Sequence, residues 1–327
     1  MNAPSRMKDI SVIIVCHRGW NRLLKCLESL SIFGSSRFSM EVLVVDNNSS
    51  DGMINGIEKD FPGIRFIKNS VNGGFANGCN LGASVAEGEF LLFLNPDTVI
   101  LEKEVGKLLS AAQQNPGATL LSCRQVSEKG KEGRPYGQFP SIRNMTGIQR
   151  SFSGNSRKDI PGDAQGSILY PDWVSGSVIL ISKKAFQHIG GFDEDFWMYY
   201  EDVDLCKRIH DSGGRVVFLR NVTIEHNHGG SSRVNLKTTS ITKTEVMISE
   251  HVYVSKHIKG VEKILMQILL VVINLTSGFI CAIVGIVFFF IPSIFVKTLV
   301  FRRLLGYYSG ALLRLSWISP RSVNFRS

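Results

Sequence analysis

Residues Glu41–Asp51 read EVLVVDNNSSD, so a short apolar segment gives way abruptly to polar residues. The apolar part has no polar face, which predicts a β-strand buried on both sides, as strands are in parallel sheets. The polar part is rich in Asp, Asn and Ser, the residues that favour loops. This stretch therefore predicts a buried strand that ends in a polar loop.

The same succession recurs through the N-terminal third of the chain. We predict strands at Ile10–Val15, Ile64–Ile67 and Glu89–Leu94, a helix over residues 53–60 and a helix that opens at Asn72. Strands that alternate with helices predict an α/β fold with a doubly wound, mostly parallel, Rossmann-like sheet. Polar motifs follow the second, third and fourth strands, at the edge where such sheets bind ligands.

Periodicity is weak over residues 127–172 and then returns. The weak region is rich in Gly, Ser, Pro, Arg and Lys, which predicts a long loop over the ligand site. After it we expect strands at Trp173–Ile181 and Arg215–Leu219, helices at Lys183–Ile189 and from Glu201 to His210, and a polar loop at Ile224–Ser232.

The most acidic stretch is Phe192–Arg208, which holds six carboxylates within twelve residues of a protein whose net charge is +9. Crowded carboxylates raise one another's pKa, so such a cluster is typical of a catalytic base, a metal site or a cap. An acidic first turn of a helix, favoured by the helix dipole, is the simpler interpretation.

The composition of the 327-residue chain restricts its function classes. Its six cysteines form no CxxC pair, which fits reduced thiols in the cytosol, and Met1–Asp9 lacks the apolar core of a secretory signal. No RNP, zinc-finger or helix-turn-helix pattern accompanies the basic charge, so we assign that charge to anionic membrane lipids and expect no nucleic-acid partner. Cys16–Trp20 follows the first strand in place of GxGxxG, which argues against a dinucleotide-dependent oxidoreductase.

An uncharged run of 33 residues, Ile264–Val296, lies between basic flanks. As one straight helix it would be about 50 Å long, well beyond a hydrocarbon core of about 30 Å. We therefore expect a re-entrant hairpin that turns at Asn274–Gly278, with both ends cytoplasmic, and a single tilted span is the alternative. The predicted divisions are a catalytic domain (1–235), a basic linker or helix (236–263), a hydrophobic membrane segment (264–297) and a basic amphipathic tail (298–327).

Taken in order, the motifs of residues Ile10 to about Ser232 resemble the family 2 inverting glycosyltransferases of the GT-A fold, specifically the rhamnosyltransferase-like branch. The matching stretches are Val12–His17, Val44–Gly52, Asn72–Asn80, Phe93–Asp97, Trp173–Ser177, Gly191–Arg208 and His226. Asn95-Pro96-Asp97 departs from a full DxD motif, because it offers one carboxylate for a metal where DxD offers two.

The resemblance implies a role for each matching residue. Asp202 corresponds to the catalytic base, with Glu201 beside it to position it or to cap the helix. Asp97 and His226 would bind a divalent cation, Mg²⁺ or Mn²⁺, and His228 competes with His226 for that role. The residues expected to bind the nucleotide sugar are His17, Asp46, Asn48, Asp51, Gly74, Asn77, Asn80 and Asn95. The residues expected to contact the sugar or the acceptor are Trp173, Ser175, Gly176 and Trp197.

Simpler interpretations exist for several of these residues. Asp46 could form an Asx-turn, and aromatic side chains such as Trp173 and Trp197 are often core residues. Gly74 and Gly78 would let the backbone approach the ligand closely at the start of a helix, where a phosphate is favoured.

The expected function is transfer of a sugar from a nucleotide sugar, with inversion, to a polyprenyl-diphosphate-linked saccharide in cell-surface polysaccharide synthesis. L-rhamnose from dTDP-rhamnose is the expected donor, at the cytoplasmic face of the plasma (inner) membrane. The same reaction with a UDP- or GDP-sugar is one alternative, and a catalytically silent nucleotide-binding scaffold is another. Donor sugar, acceptor hydroxyl, choice of metal and oligomeric state are left open by the sequence.

Overall fold

The computed structural model describes residues 8–32, 38–115, 119–133, 135–142, 160–227 and 235–325. These residues fall into two compact units. The first is drawn from Met1–Phe139, Lys158–Asp193 and Asp202–Gly230, and the second from Pro140–Arg157, Glu194–Glu201 and Ser231–Ser327.

The first unit is an α/β fold. Its strands are β1 (Lys8–Cys16), β2 (Met40–Asp46), β3 (Arg65–Lys68), β4 (Gly88–Leu94), β5 (Thr98–Val99), β6 (Leu120–Val126), β7 (Tyr136–Gly137), β8 (Ile168–Leu169), β9 (Trp173–Val174), β10 (Val178–Ser182) and β11 (Val216–His226). Its helices are α1 (Trp20–Ser31), α2 (Ile54–Asp60), α3 (Gly74–Val85), α4 (Glu102–Gln114) and α5 (Lys183–His188), followed by α6 (Glu201–Asp211), whose first residue belongs to the second unit.

Within the described residues, nine strands form one sheet in the order β3-β2-β1-β4-β10-β6-β11-β5, with β8 paired to β11. The four neighbouring strands β3, β2, β1 and β4 are parallel to one another, which confirms the predicted doubly wound arrangement. The other half is mixed, because β10 runs antiparallel to both β4 and β6. The predicted strand Trp173–Ile181 is interrupted at residues 175–177, and β11 continues through His226, where the sequence predicted a loop.

Strand β1 shows how the core is divided between the two faces of the sheet. Val12 and Ile14 belong to one buried apolar cluster, whereas Ile13 and Val15 belong to the other, as the two-residue period of a strand requires. Gly78 of α3 faces β1 at close range, since a Cβ there would lie 2.6 Å from Val15. Gly78 therefore brings α3 onto the sheet, which corrects its predicted role in ligand approach.

The second unit contains three long helices, α7 (Leu236–His257), α8 (Gly260–Val287) and α9 (Pro292–Arg314). Among the described residues, α8 is the one helix long and apolar enough to cross a membrane. It continues through Asn274–Gly278, so the turn predicted there is wrong. Thr276 and Ser277 donate to the carbonyl oxygens of Val272 and Ile273, which keeps their hydroxyls bonded within the helix.

The chain instead reverses between Phe288 and Ile291, directly before Pro292, the first residue of α9. Proline suits the first helical position, because its missing N–H would have no partner there. Helices α8 and α9 then pack closely where α8 carries glycine: a Cβ at Gly278 would lie 2.6 Å from Phe301, and one at Gly285 would overlap Thr298. The apolar run is thus the first arm and tip of a helical hairpin.

A buried polar network joins α7 to this hairpin. The two ring nitrogens of His251 bond Gln267 and the Tyr308 hydroxyl, and Asn274 Nδ2 donates to the same hydroxyl at 2.9 Å. Burial lowers the pKa of His251 to about 4, so this imidazole is neutral near pH 7. Asn274, predicted to sit at a turn, therefore helps to hold the two arms together.

Candidate active site

Polar side chains gather where β1 and β2 end, as the sequence predicts. Asp46 closes β2 and is buried, and its Oδ1 accepts the Ser49 N–H at 2.9 Å. Asn48 and Ser50 have positive φ angles, so this is a tight loop. His17 lies at the end of β1, with Nδ1 3.1 Å from the Asn47 carbonyl oxygen. One oxygen of Asp46 thus holds the loop, by a bond to the residue three positions on rather than the two positions of an Asx-turn. The role of Asp46 in nucleotide binding stays a prediction.

An amide network behind this loop includes two residues that the sequence analysis missed, Asn47 and Asn69. Asn47 Nδ2 donates to the Gly74 carbonyl at 2.9 Å, and Asn69 Nδ2 donates to Asn47 Oδ1 at 2.8 Å and to Asn77 Oδ1 at 2.7 Å. Gly74 begins α3 with a φ of 89°. The network fixes the ends of β2 and β3 against the start of α3, and an asparagine at each strand end was its signal in the sequence.

Two residues predicted to bind the nucleotide are engaged by the protein itself. Trp20 Nε1 donates to Asp51 Oδ2 at 2.7 Å, and the Met53 N–H donates to Oδ1 at 3.2 Å. Asn80 bonds both the N–H and the carbonyl of Phe192 at 2.9 Å. Both residues therefore stabilise the fold. Asp51 holds the loop after β2, and Asn80 holds Phe192, which is 112 residues away in sequence.

Asp97 and His226 are brought together by the pairing of β5 with β11, in which His226 faces Thr98. His226 Nε2 lies 3.1 Å from Asp97 Oδ1, and both side chains are nearly buried. On the other side of the ring, Nδ1 lies 2.8 Å from Gln125 Oε1. Gln125, a buried residue of β6, was missed by the sequence analysis because it lies 101 residues from His226.

This arrangement fits a divalent cation. With the Gln125 carbonyl oxygen toward it, Nδ1 is the proton donor, and in the neutral ring Nε2 then presents its lone pair to a carboxylate oxygen. Two acceptors this close need a proton or a cation between them, and metal-bound histidines characteristically donate their other N–H to such a partner. In the part of the chain that the structure describes, no group of three or more His, Cys, Asp or Glu side chains could hold a metal ion, so Asp97 and His226 would be a two-ligand set. His228 lies outside the described residues.

Asp202 lies near the start of α6, where the Gly176 N–H donates to Oδ2 at 2.7 Å and the Val203 N–H donates to Oδ1 at 2.8 Å. A Cβ at Gly176 would lie 3.3 Å from the Phe75 ring and 3.4 Å from Asp202 Cβ, so Asp202 lies close against this backbone. Desolvation raises the pKa of the Asp202 carboxyl above its usual value, and the backbone hydrogen bonds oppose the rise. A carboxylate of raised pKa is a stronger proton acceptor, as a general base should be.

Asp202 is connected to the Asp97–His226 pair through hydrogen bonds and the backbone of Gly176 and Ser177. The Ser177 hydroxyl donates to Gln125 Oε1 at 2.9 Å and lies 3.0 Å from the Ser175 hydroxyl. Ser175 to Ser177 is the interruption before β10, and its middle residue, Gly176, holds Asp202. The Asn95 N–H also donates to the Ser177 carbonyl at 3.0 Å. Three predicted site residues, Ser175, Gly176 and Asn95, therefore lie between Asp202 and the Asp97–His226 pair along these contacts.

Three remaining predicted residues, Trp173, Glu201 and Trp197, are not part of the contacts that connect Asp202 to the Asp97–His226 pair. Trp173 Nε1 donates to the Gln138 carbonyl at 2.8 Å, and its ring covers Gly137. Glu201 and Trp197 are buried and belong to the second unit, where the Arg321 guanidinium lies 5.2 Å from the Trp197 ring centroid. Trp197 thus has the packed environment of a core aromatic.

Comparison with known families agrees with this geometry. The family model described as glycosyl transferase family 2 matches residues 11–170, and the model described as N-terminal domain of galactosyltransferase matches residues 168–228. Residues 11–170 form a glycosyl transferase family 2 domain. The matched ranges contain every predicted site residue from His17 to His226.

Several curated relatives of this glycosyltransferase are rhamnosyltransferases. The N-acetylglucosaminyl-diphospho-decaprenol L-rhamnosyltransferase of Mycobacterium tuberculosis is 27% identical over 245 residues, which cover 69% of this chain and 78% of the relative. The rhamnosyltransferase WbbL of Escherichia coli is 26% identical over 219 residues, 64% of this chain and 80% of the relative. The glycosyltransferase is therefore rhamnosyltransferase-like.

Solved structures show the same GT-A fold. GalNAc-T7 with UDP, GalNAc and Mn²⁺ aligns with a TM-score of 0.51 at 15% identity, covering 77% of this chain and about half of its own (51%). Residues 1–349 of Staphylococcus aureus TarS align with a TM-score of 0.50 at 17% identity, covering 80% of this chain and 69% of that one. These likenesses establish the fold of the glycosyltransferase.

Proposed function

We propose that this glycosyltransferase moves L-rhamnose from dTDP-rhamnose, with inversion, to a polyprenyl-diphosphate-linked saccharide in polysaccharide synthesis. The names of the mycobacterial and Escherichia coli relatives support the donor sugar, and the mycobacterial name supports the lipid-linked acceptor. The observation that carries the proposal is the path from Asp97 and His226 through Gln125 and Ser177 to Asp202. A UDP- or GDP-sugar donor is the alternative within the same reaction.

Asp202 acts as the general base in this proposal. It takes the proton of the acceptor hydroxyl as that oxygen bonds to the anomeric carbon, while the bond from this carbon to the diphosphate oxygen breaks. Attack from the face opposite the leaving group inverts the configuration. The N–H groups of Gly176 and Val203 hold the carboxylate in place. Its raised pKa favours proton uptake.

Asp97 and His226 would hold the divalent cation, Mg²⁺ or Mn²⁺. When bound, such a cation stabilises the charge that develops on the diphosphate leaving group. Protein sites for Mg²⁺ typically supply one or two ligands and leave the others to phosphate oxygens and water, which suits a two-ligand set. Gln125 fixes the His226 tautomer, and the β5–β11 pairing fixes the distance between the two ligands.

We further propose that the helical hairpin anchors the enzyme at the cytoplasmic face of the plasma (inner) membrane. Its tip, Phe288–Ile291, exposes three consecutive phenylalanines. Arg302 and Arg303 follow Pro292 after ten and eleven residues, which is about 15–17 Å along α9. Half of a hydrocarbon core is about 15 Å, so these two arginines lie about one leaflet's depth from the tip. Lys297 lies between them and the tip, about 7.5 Å from Pro292 along the helix, and its long side chain would extend toward the headgroups. This supports re-entrant insertion over a single span, with the catalytic domain (1–235) in the cytoplasm.

The replacement Asp202→Asn tests the proposal. The variant should lose transfer by a factor on the order of 10² or more and still bind the nucleotide sugar, because it keeps the shape but not the base. Asp211→Asn, at the exposed end of the same helix, is the matched control and should remain active. Excess chelator should stop transfer by the wild type, and added Mn²⁺ should restore it. Near-normal turnover by a folded Asp202→Asn protein would exclude Asp202 as the base.

A further inference from the structure

The segment just before the proposed base is held by the C-terminal end of the chain. Within the second unit, the Ser322 hydroxyl donates to the Glu194 carbonyl at 2.7 Å, and Asn324 Nδ2 donates to Asp195 Oδ1 at 2.9 Å. Lys256 of α7 forms an ion pair with Asp195 at 2.5 Å. The residues that follow the hairpin therefore support the acidic segment Glu194–Glu201, which continues in sequence into Asp202.

The backbone of this segment is itself constrained. Tyr199 and Tyr200 both have positive φ angles, 70° and 67°, which bulky residues rarely adopt. The Ser249 hydroxyl donates to the Met198 carbonyl at 3.0 Å and so helps to hold the conformation from α7. Such strain persists only where the surrounding contacts fix it, and it is concentrated at functional sites.

Two guanidinium groups, those of Arg321 and Arg303, lie near the Glu245 carboxylate beside this segment. Arg321 Nε lies 3.5 Å from Glu245 Oε1, while the Ser319 hydroxyl donates to Oε2 at 2.8 Å. Arg303 Nε donates to the Ser240 hydroxyl at 3.1 Å. Burial raises the pKa of Glu245 to about 6, and the charges of Arg321 and Arg303 oppose that rise, so both cations act on this carboxylate. The pair keeps an excess positive charge even when Glu245 is ionised.

The position of Arg303 on the hairpin points to a phosphate at the membrane surface. It follows Pro292 by eleven residues, or about 17 Å of helix, so an inserted tip would place its guanidinium just outside one hydrocarbon leaflet. Arg321 is 41% exposed and lies over the face of Trp197. Guanidinium groups match phosphate oxygens in planar, paired hydrogen bonds, which an ammonium group does not.

We propose that Arg303 and Arg321 form the binding site for the diphosphate of the lipid-linked acceptor, beside Trp197. This inference rests on the proposed function, because it assumes an acceptor of that class. Trp197, expected from the sequence to contact the sugar or the acceptor, would support one of the two guanidinium groups of this acceptor site.

Acceptor kinetics of the full-length enzyme test this site. The variants are Arg303→Gln and Arg321→Gln, and Arg314→Gln is the control on the same helix, since Arg314 packs on Phe325 outside the Glu245 cluster. The assay uses neutral phosphatidylcholine bicelles with two acceptors, an N-acetylglucosaminyl-diphosphate-linked polyprenol and octyl N-acetylglucosaminide, which has no diphosphate. Each Gln variant should raise KM for the diphosphate acceptor roughly 10- to 100-fold, the effect of losing charged hydrogen bonds. KM for the donor and for the octyl glycoside should not change.

Each other result has a defined meaning. Equal effects of the variants on both acceptors, or no effect on either, would overturn the site. An effect that appears only when phosphatidylglycerol is added to the bicelles would show that the arginines bind phospholipid headgroups, and this too would overturn it. Arg303→Lys and Arg321→Lys should show intermediate KM values if the site depends on guanidinium geometry. A wild-type enzyme that uses no diphosphate-linked acceptor would instead contradict the proposed function.

Discussion

Replacing Gln125 should weaken cation binding without touching either cation ligand. Its Oε1 lies 2.8 Å from His226 Nδ1 and accepts the Ser177 hydroxyl at 2.9 Å, and the side chain is fully buried. In Gln125→Leu, His226 loses the acceptor that fixes its proton on Nδ1. Loss of such a partner typically lowers metal affinity 10- to 100-fold, or about 1.4–2.8 kcal/mol.

A second variant, Gln125→Glu, should not lose cation affinity. Gln125→Glu keeps an acceptor toward His226 Nδ1 and makes it a carboxylate, which increases the basicity of the ring. It also removes the amide Nε2, which is buried without a hydrogen-bond partner in the part of the chain that the structure describes. Gln125→Glu should therefore bind the cation at least as tightly as the wild type.

The assay is the Mn²⁺ concentration that gives half-maximal transfer at saturating donor, with thermal unfolding measured in parallel. Ser122→Ala is the matched control, because it removes a buried hydrogen bond of the same strand, from Ser122 to the Val178 carbonyl, away from His226. A Gln125→Leu enzyme with the Mn²⁺ requirement of the wild type would refute the reasoning. So would an equal change in Ser122→Ala.

Two further predictions concern the second unit. Gly285→Leu should lower the melting temperature by an amount equivalent to about 1–3 kcal/mol, because its side chain would overlap Thr298, whereas Gly306→Leu, with open space around it, should have little effect. Burial raises the pKa of Glu250 from 4.5 to about 7. As the pH rises, the unfolded chain therefore loses this proton before the folded chain does. The free energy of unfolding should fall by on the order of 3 kcal/mol as the pH rises between these two pKa values. Glu250→Gln should flatten this dependence in melting curves recorded between about pH 5 and pH 8, and an unchanged slope would contradict it.

Local patterns were enough to predict much of the catalytic domain. The run Val42–Val45 is apolar on both faces, so it could only be a buried strand, and the Asp that ends it had to lie at the sheet edge. The same argument places Asp97 after β4. Asp202 was predicted to be the base from its acidic neighbours and from the family resemblance, whereas its N–H donors, one of them 26 residues away, could not be inferred. The uncharged run likewise indicated a membrane segment by composition alone.

Sequence by itself thus determined the elements and the chemistry of individual residues, because strand and helix periodicity is read within a few neighbouring positions. Only the tertiary structure decided which distant residues meet. Gln125 reaches His226 through the register of β6 and β11 across 101 residues, and Asn80 meets Phe192 across 112. The hairpin turn lies at Phe288–Ile291 because Thr276 and Ser277 bond within α8 and Asn274 bonds α9. Polar residues in an apolar helix look like a break in sequence, and only their partners show that the helix continues.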